Sequence, residues 1–140
     1  MNAITVSEYF AAPGLQDTAI PQAHRENADE LIEAVNMLLN DPDCPVLKIN
    51  PRTKTYISGT TGGGYRTPAL NDFPGGRRST SKHLIGCAID LYDPIGGLDA
   101  WITDEILIRY GLYREHPDAT HGWCHLQTTP VLSGRRTFWP

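Results

Sequence analysis

Ser81-Lys82-His83-Leu84-Ile85-Gly86-Cys87-Ala88-Ile89-Asp90 is the stretch from which the rest of the chain is read. Its second half runs on through Leu91 and Tyr92 and has the composition of a strand, expected over residues 86–92. Side chains alternate across a strand, so Cys87, Ile89 and Leu91 share one face and Ala88, Asp90 and Tyr92 the other. The first set is apolar and belongs to a core. The second puts a carboxylate beside Ala88, whose small side chain leaves room next to Asp90. Gly86 lets the chain bend, so that His83 and Asp90 can point to one spot.

A second strand is expected over residues 122–127, Gly122-Trp123-Cys124-His125-Leu126-Gln127. By the same alternation Trp123, His125 and Gln127 share a face, while Cys124 and Leu126 turn to the core. If this strand pairs with the first, His125 and Asp90 face the same cleft. Two imidazole nitrogens and one carboxylate oxygen, with a fourth position open to water, form the layout of a catalytic zinc site; a structural site uses all four positions. His83, Asp90 and His125 are therefore the expected ligands of one metal ion, and that donor set favours zinc.

Outward from these strands, Leu31, Ile32, Val35, Leu38 and Leu39 recur at three-and-four spacing and mark a helix over 22–40. Asn27 with Glu30 offers a capping box, a start nearer Pro21 is the alternative, and Asp41-Pro42 ends the helix. A helical turn is expected around Val6 to Ala11. Short strands are expected over 46–50 and 55–58 around Asn50-Pro51, then a short helix over 67–72 and an irregular loop over 71–81. A second long helix is expected over 99–110, with Leu98, Ile102, Ile106, Leu107 and Tyr110 inward and Gly111 as its stop. A strand over 112–115 follows, and the tail from Ser133 folds back to cover Phe138 and Trp139. This order predicts an α+β fold, a small antiparallel sheet flanked by helices, over 1–140 as one domain.

Composition narrows the function classes. A chain of 140 residues suits one core, and 40% hydrophobic with 20% charged residues is globular rather than disordered. The net charge of −4 gives no general pull towards nucleic acid or anionic membrane, so neither is an expected partner. Arg77-Arg78 and Arg135-Arg136 are read as solvated pairs. No run of about 18 apolar residues exists, so no membrane span is expected. Met1 to Phe10 lacks a basic start followed by an apolar stretch, so the chain as written is expected in the cytoplasm unless another agent releases it. Three cysteines without a signal peptide argue against a disulfide framework, and no Cys-x-x-Cys pair offers a thiolate zinc site. Gly62-Gly63-Gly64 lacks the Lys and Ser/Thr of a phosphate loop. Cys124 and His125 point to opposite faces of a strand, which excludes them as a nucleophile–base pair.

Ser81-x-His83-x-x-Gly86-x-Ala88-x-Asp90, followed by Trp123-x-His125, resembles the zinc D-Ala-D-Ala carboxypeptidase and L-alanyl-D-glutamate endopeptidase family, over roughly residues 55–127. These peptidoglycan peptidases share a fold with the hedgehog signalling domain, and many are bacteriophage endolysins. The resemblance implies a hedgehog-like fold, Zn2+ as cofactor and a monomer that hydrolyses stem-peptide bonds as a carboxypeptidase or endopeptidase. It implies action on the cell wall after release, or from the phage particle. It extends to Gly64-Tyr65-Arg66-Thr67-Pro68-Ala69-Leu70-Asn71, where members often carry a Ser-Gly-Tyr-Arg-Ser-like run. The family's Arg holds a substrate carbonyl or carboxylate; Arg66 is the match, and a guanidinium suits that task through its paired donors. Gly63-Gly64 stands where Ser-Gly is more usual. Ser81, Tyr65 and Gln127 complete the expected substrate-binding set.

The family's general base is an acidic residue, often Glu, a few positions before the last His, and some members use a His. Here the usual positions hold Ala119, Thr120 and Gly122. Glu115, at the end of the 112–115 strand, is favoured, with His121 and Asp118 as alternatives. The missing acid also keeps open a second reading, a non-catalytic binding or virion structural protein on the same fold.

Overall fold

In the computed structural model, which describes residues 3–12, 15, 19–68 and 81–140, the two strands read from the sequence pair with each other. Strand β1 (Ala88–Tyr92) runs antiparallel to β3 (Trp123–Gln127), with Asp90 directly opposite His125, Ala88 opposite Gln127 and Tyr92 opposite Trp123. The alternation holds, since Ile89, Leu91, Cys124 and Leu126 are all fully buried in the core. Strand β2 (Tyr113–Glu115) lies antiparallel on the other side of β3. The tail does fold back, as β4 (Thr137–Phe138), but it runs parallel to β2. The sheet has the order β1-β3-β2-β4 and is mixed rather than antiparallel throughout. The reason is the connection from β3, residues 128–136, which steps past β2 before the chain pairs again.

Helix α1 (Val6–Tyr9) has a full capping box: Glu8 N donates to Thr5 Oγ1 at 3.1 Å, and Thr5 N donates to Glu8 Oε1 at 2.8 Å. The box expected at Asn27 and Glu30 does not form. Helix α2 (Gln22–Leu39) starts after Pro21, and Asn27 instead donates Nδ2 to Ile85 O at 2.9 Å. That bond ties α2 to the 3-10 turn Lys82–Ile85, which carries His83. Ala28, Leu31, Val35 and Leu38 are fully buried on the inner face of α2.

Two expectations of regular structure fail for local reasons. The segments 46–50 and 55–58 are not strands, apart from a single bridge between Ile57 and Leu91 on the outer edge of β1. Asn50 donates Nδ2 to Ile57 O at 2.9 Å and to Gly59 O at 2.8 Å, and these side-chain bonds supplement the backbone bond from Asn50 N to Thr55 O at 2.8 Å. The helix expected over 99–110 is two helices, α3 (Gly97–Trp101) and α4 (Asp104–Tyr110). Thr103 separates them by capping α4, its Oγ1 accepting from Ile106 N at 3.3 Å. Gly111 then ends α4 in the left-handed conformation at φ 71, as expected.

Leu98, Leu107 and Leu112 join the α2 stripe and the inner face of β1 and β3 in one core, each buried leucine stabilising by about 1.5–3 kcal/mol. Cys87 and Cys124 are buried, and all three cysteines are free thiols. Among the described residues no helix is long and apolar enough to cross a membrane. Most of the helix expected over 67–72 and of the loop over 71–81, with Arg77-Arg78, lies outside the described residues.

Candidate metal centre

The chain reaches the site by a bend that only glycine allows. Gly86 sits at φ +81, and a Cβ there would lie 2.4 Å from His24 O, so both its conformation and its contact with α2 require glycine. The bend brings His83, in the 3-10 turn, back over Asp90 in the middle of β1. His125 comes from β3 directly opposite. Ligand atoms of the three side chains lie within 4.8 Å of one another, and all three residues are buried.

The hydrogen bonds around the group decide which atoms converge. His83 Nδ1 lies 2.8 Å from Gly64 O, which can only accept, so Nδ1 carries the proton and Nε2 a lone pair. His83 Nε2 is 3.3 Å from Asp90 Oδ1. His125 Nε2 lies 2.9 Å from Gln127 Oε1, and its Nδ1 lies 2.8 Å from the same Asp90 Oδ1. Two imidazole nitrogens thus aim at one carboxylate oxygen with their outer nitrogens already engaged. Neutral rings in these tautomers would set lone pairs against a carboxylate, which a bound cation relieves. His83, Asp90 and His125 therefore form a buried group that could hold a metal ion.

The charges agree with that picture. Burial disfavours the Asp90 carboxylate, but His83 and His125 outweigh it and hold its pKa well below the usual carboxylate range. Burial pushes the His83 imidazole below its ordinary value. Burial acts the same way on His125, yet the bond to Asp90 and the charges of Asp90 and Glu115 prevail and raise its pKa.

Arg66 completes the coordination of the carboxylate. Its Nη2 donates to Asp90 Oδ2 at 3.2 Å and its Nε to Gly62 O at 2.6 Å. One oxygen of Asp90 therefore faces the imidazoles and the other the guanidinium. The Gly63-Gly64 departure has a packing cause, since a Cβ on Gly63 would lie 2.4 Å from Ser58 O.

The group opens on a cleft lined by Arg66, Ser81, Lys82, Glu115, His116, Gln127, Arg135, Phe138 and Trp139. Glu115 lies on the same sheet face as His125, its Oε1 3.9 Å from His125 Nε2. Among the described residues it is the acidic lining residue besides Asp90. His116 stacks on Trp139 with ring centroids 4.1 Å apart, forming part of the rim; Trp139 is exposed, while Phe138 packs edge-on to His125.

Three predicted site residues stand elsewhere. His121 is exposed and does not line the cleft, and neither does Asp118. Tyr65 is buried away from it, its hydroxyl 2.8 Å from His24 Nδ1. Gln127 lines the cleft, but both ends of its amide are engaged, Oε1 with His125 and Nε2 with Thr129. The sequence reading missed the Gly64 carbonyl and Thr129, because a backbone acceptor and a loop threonine carry no chemical signature of their own. It also missed Lys82, inside the quoted motif and lining the cleft. No family model, curated protein or solved structure matches the chain.

Proposed function

We propose that this chain is a zinc-dependent peptidase with a hedgehog-like fold, hydrolysing peptide bonds in peptidoglycan stem peptides. The observation that carries the reading is the buried His83, Asp90 and His125 group at the floor of a cleft that also holds Glu115. Two imidazoles and a carboxylate leave a tetrahedral ion one open position, as catalytic zinc sites do. When bound, zinc lowers the pKa of a coordinated water to about 7 and polarises the scissile carbonyl.

The protein's own residues supply the rest. Glu115 takes the proton from the attacking water and returns it to the leaving amine, a role worth about 10²–10⁴ in rate. Arg66, beside Asp90, presents positive charge to the oxyanion that develops on the carbonyl. Lys82 and Arg135 add charge that suits a carboxylate-bearing peptide, and Trp139 with Phe138 gives its apolar part a wall. Ser81 lines the entry beside Lys82. The bond lies at a D-Ala terminus, within the stem or in a cross-bridge. The enzyme acts as a monomer on the wall, after release from the cell or carried by a phage particle.

A second reading, a non-catalytic binding or virion structural protein on this fold, draws on one observation. Glu115 approaches His125 at Nε2, whereas Nδ1 is the nitrogen turned to Asp90. Purified peptidoglycan incubated with the zinc-loaded protein and with His125→Ala separates the two. New amines or D-Ala released by the wild type alone, identified by mass spectrometry, support the peptidase. A wild type that binds zinc and releases nothing from several wall types leaves the binding protein.

A further inference from the structure

The two histidines of the centre are oriented by different means. His83 is held by a backbone carbonyl, Gly64 O. His125 is held by a side chain that has itself to be oriented. We infer that Gln127 is a positioning residue, locking His125 as the tautomer protonated on Nε2 so that Nδ1 is the metal-binding atom. The inference rests on reading His83, Asp90 and His125 as a metal site.

An amide side chain has an accepting end and a donating end of nearly the same shape. If Gln127 turned its NH2 group to His125, Nε2 would become the acceptor. The proton would then move to Nδ1, which faces Asp90 Oδ1 at 2.8 Å, and Nδ1 could no longer ligate. Thr129 decides between the two arrangements. Gln127 Nε2 lies 2.7 Å from Thr129 O and 3.1 Å from Thr129 Oγ1. A backbone carbonyl accepts only, so the end facing it is the NH2 group, and the amide oxygen is left for His125 Nε2 at 2.9 Å.

Orientation is thus passed from the Thr129 backbone through the amide to the imidazole. Two features let the arrangement form. Gln127 and His125 are two residues apart on β3 and share a face, and the residue opposite Gln127 is Ala88, small enough to leave the amide room. Gln127 is only 3% exposed, so water does not compete for its ends. Glu115 Oε1, at 3.9 Å from His125 Nε2, is beyond hydrogen-bond reach and does not take its place. Partners of this kind fix the tautomer and ring direction of ligating histidines elsewhere, and their loss costs about 10–100-fold in metal affinity.

The test measures zinc affinity by competition with a chromogenic chelator for the wild type, Gln127→Leu and Gln127→Glu. Gln127→Leu keeps the volume and removes the acceptor, and is expected to weaken zinc binding about 10–100-fold. Gln127→Glu keeps an acceptor at Nε2 and recovers most of that loss. Long-range 1H–15N spectra of the zinc-loaded wild type need no variant and are expected to place the His125 proton on Nε2. Zinc binding by Gln127→Leu as tight as that of the wild type, or a His125 ring protonated on Nδ1, overturns the inference while the metal site stands. A wild type that takes up no zinc overturns the metal reading and the inference with it.

Discussion

On the core face of the sheet, Arg114 donates Nη1 to Asp99 O at 2.7 Å and Nε to Thr137 Oγ1 at 3.1 Å, while Thr120 Oγ1 donates to Asp99 Oδ2 at 3.2 Å. Asp93 accepts from Leu98 N and Asp99 N at 3.0 Å each, holding the start of α3. On the opposite face His83, Asp90 and His125 are buried to the same degree. Both clusters cost desolvation, but they are composed differently. In the first, donors meet acceptors and a guanidinium meets a carboxylate, so the cluster is complete. In the second, three potential ligand atoms are turned on one another, and their outer positions are held by Gly64, Gln127 and Arg66. A buried polar cluster of paired donors and acceptors braces the fold, whereas one whose ligand atoms converge within 4.8 Å of one another could hold a cation.

Exchanging the properties of the two clusters breaks this contrast most severely at Asp90. Asp90→Asn is expected to abolish stoichiometric zinc uptake, a loss beyond the about 100-fold typical of outer partners, whereas Arg114→Ala takes up one zinc per folded chain; equilibrium dialysis reads both. Glu115→Gln should lower peptide hydrolysis by about 10²–10⁴ with zinc affinity little changed, and an unaltered rate would move the proton transfer to another residue. Arg114→Ala should cost about 3–5 kcal/mol in urea unfolding, because it leaves Asp99 buried without its charge partner.

Proton competition gives a smaller and graded effect. An imidazolium cannot ligate, and the His125 pKa is raised, so zinc affinity should begin to fall at a pH above the ordinary imidazole value as pH is lowered. Titrations of zinc binding at several pH values check this. The smallest effects belong to residues outside the cleft. Tyr65→Phe should cost about 1 kcal/mol of stability through its lost bond to His24, and it and His121→Ala should leave hydrolysis unchanged.

The candidate metal centre was legible because both of its strands alternate strictly. Cys87, Ile89 and Leu91 must go inward, as must Cys124 and Leu126, and this sends Asp90 and His125 to one face whatever the rest of the chain does. The facing register followed once the strands paired. The Arg114–Asp99 cluster was not legible, because it depends on a helix break at Thr103 that a continuous apolar periodicity conceals. Thr103-Asp104-Glu105-Ile106 did carry a signal, a capping threonine before an acidic first turn. Tyr65 and Gln127 were drawn to the substrate side by their neighbours in the chain. Their bonds to His24 and Thr129 belong to the tertiary structure and to no motif.

The central claim is that His83, Asp90 and His125 form a metal site. Its most direct test is the metal content of the wild type and Asp90→Asn after dialysis against buffered zinc, read by plasma mass spectrometry beside far-ultraviolet circular dichroism. The account predicts one zinc per wild-type chain and none in the folded variant. No zinc in the wild type, or equal zinc in both, would contradict it.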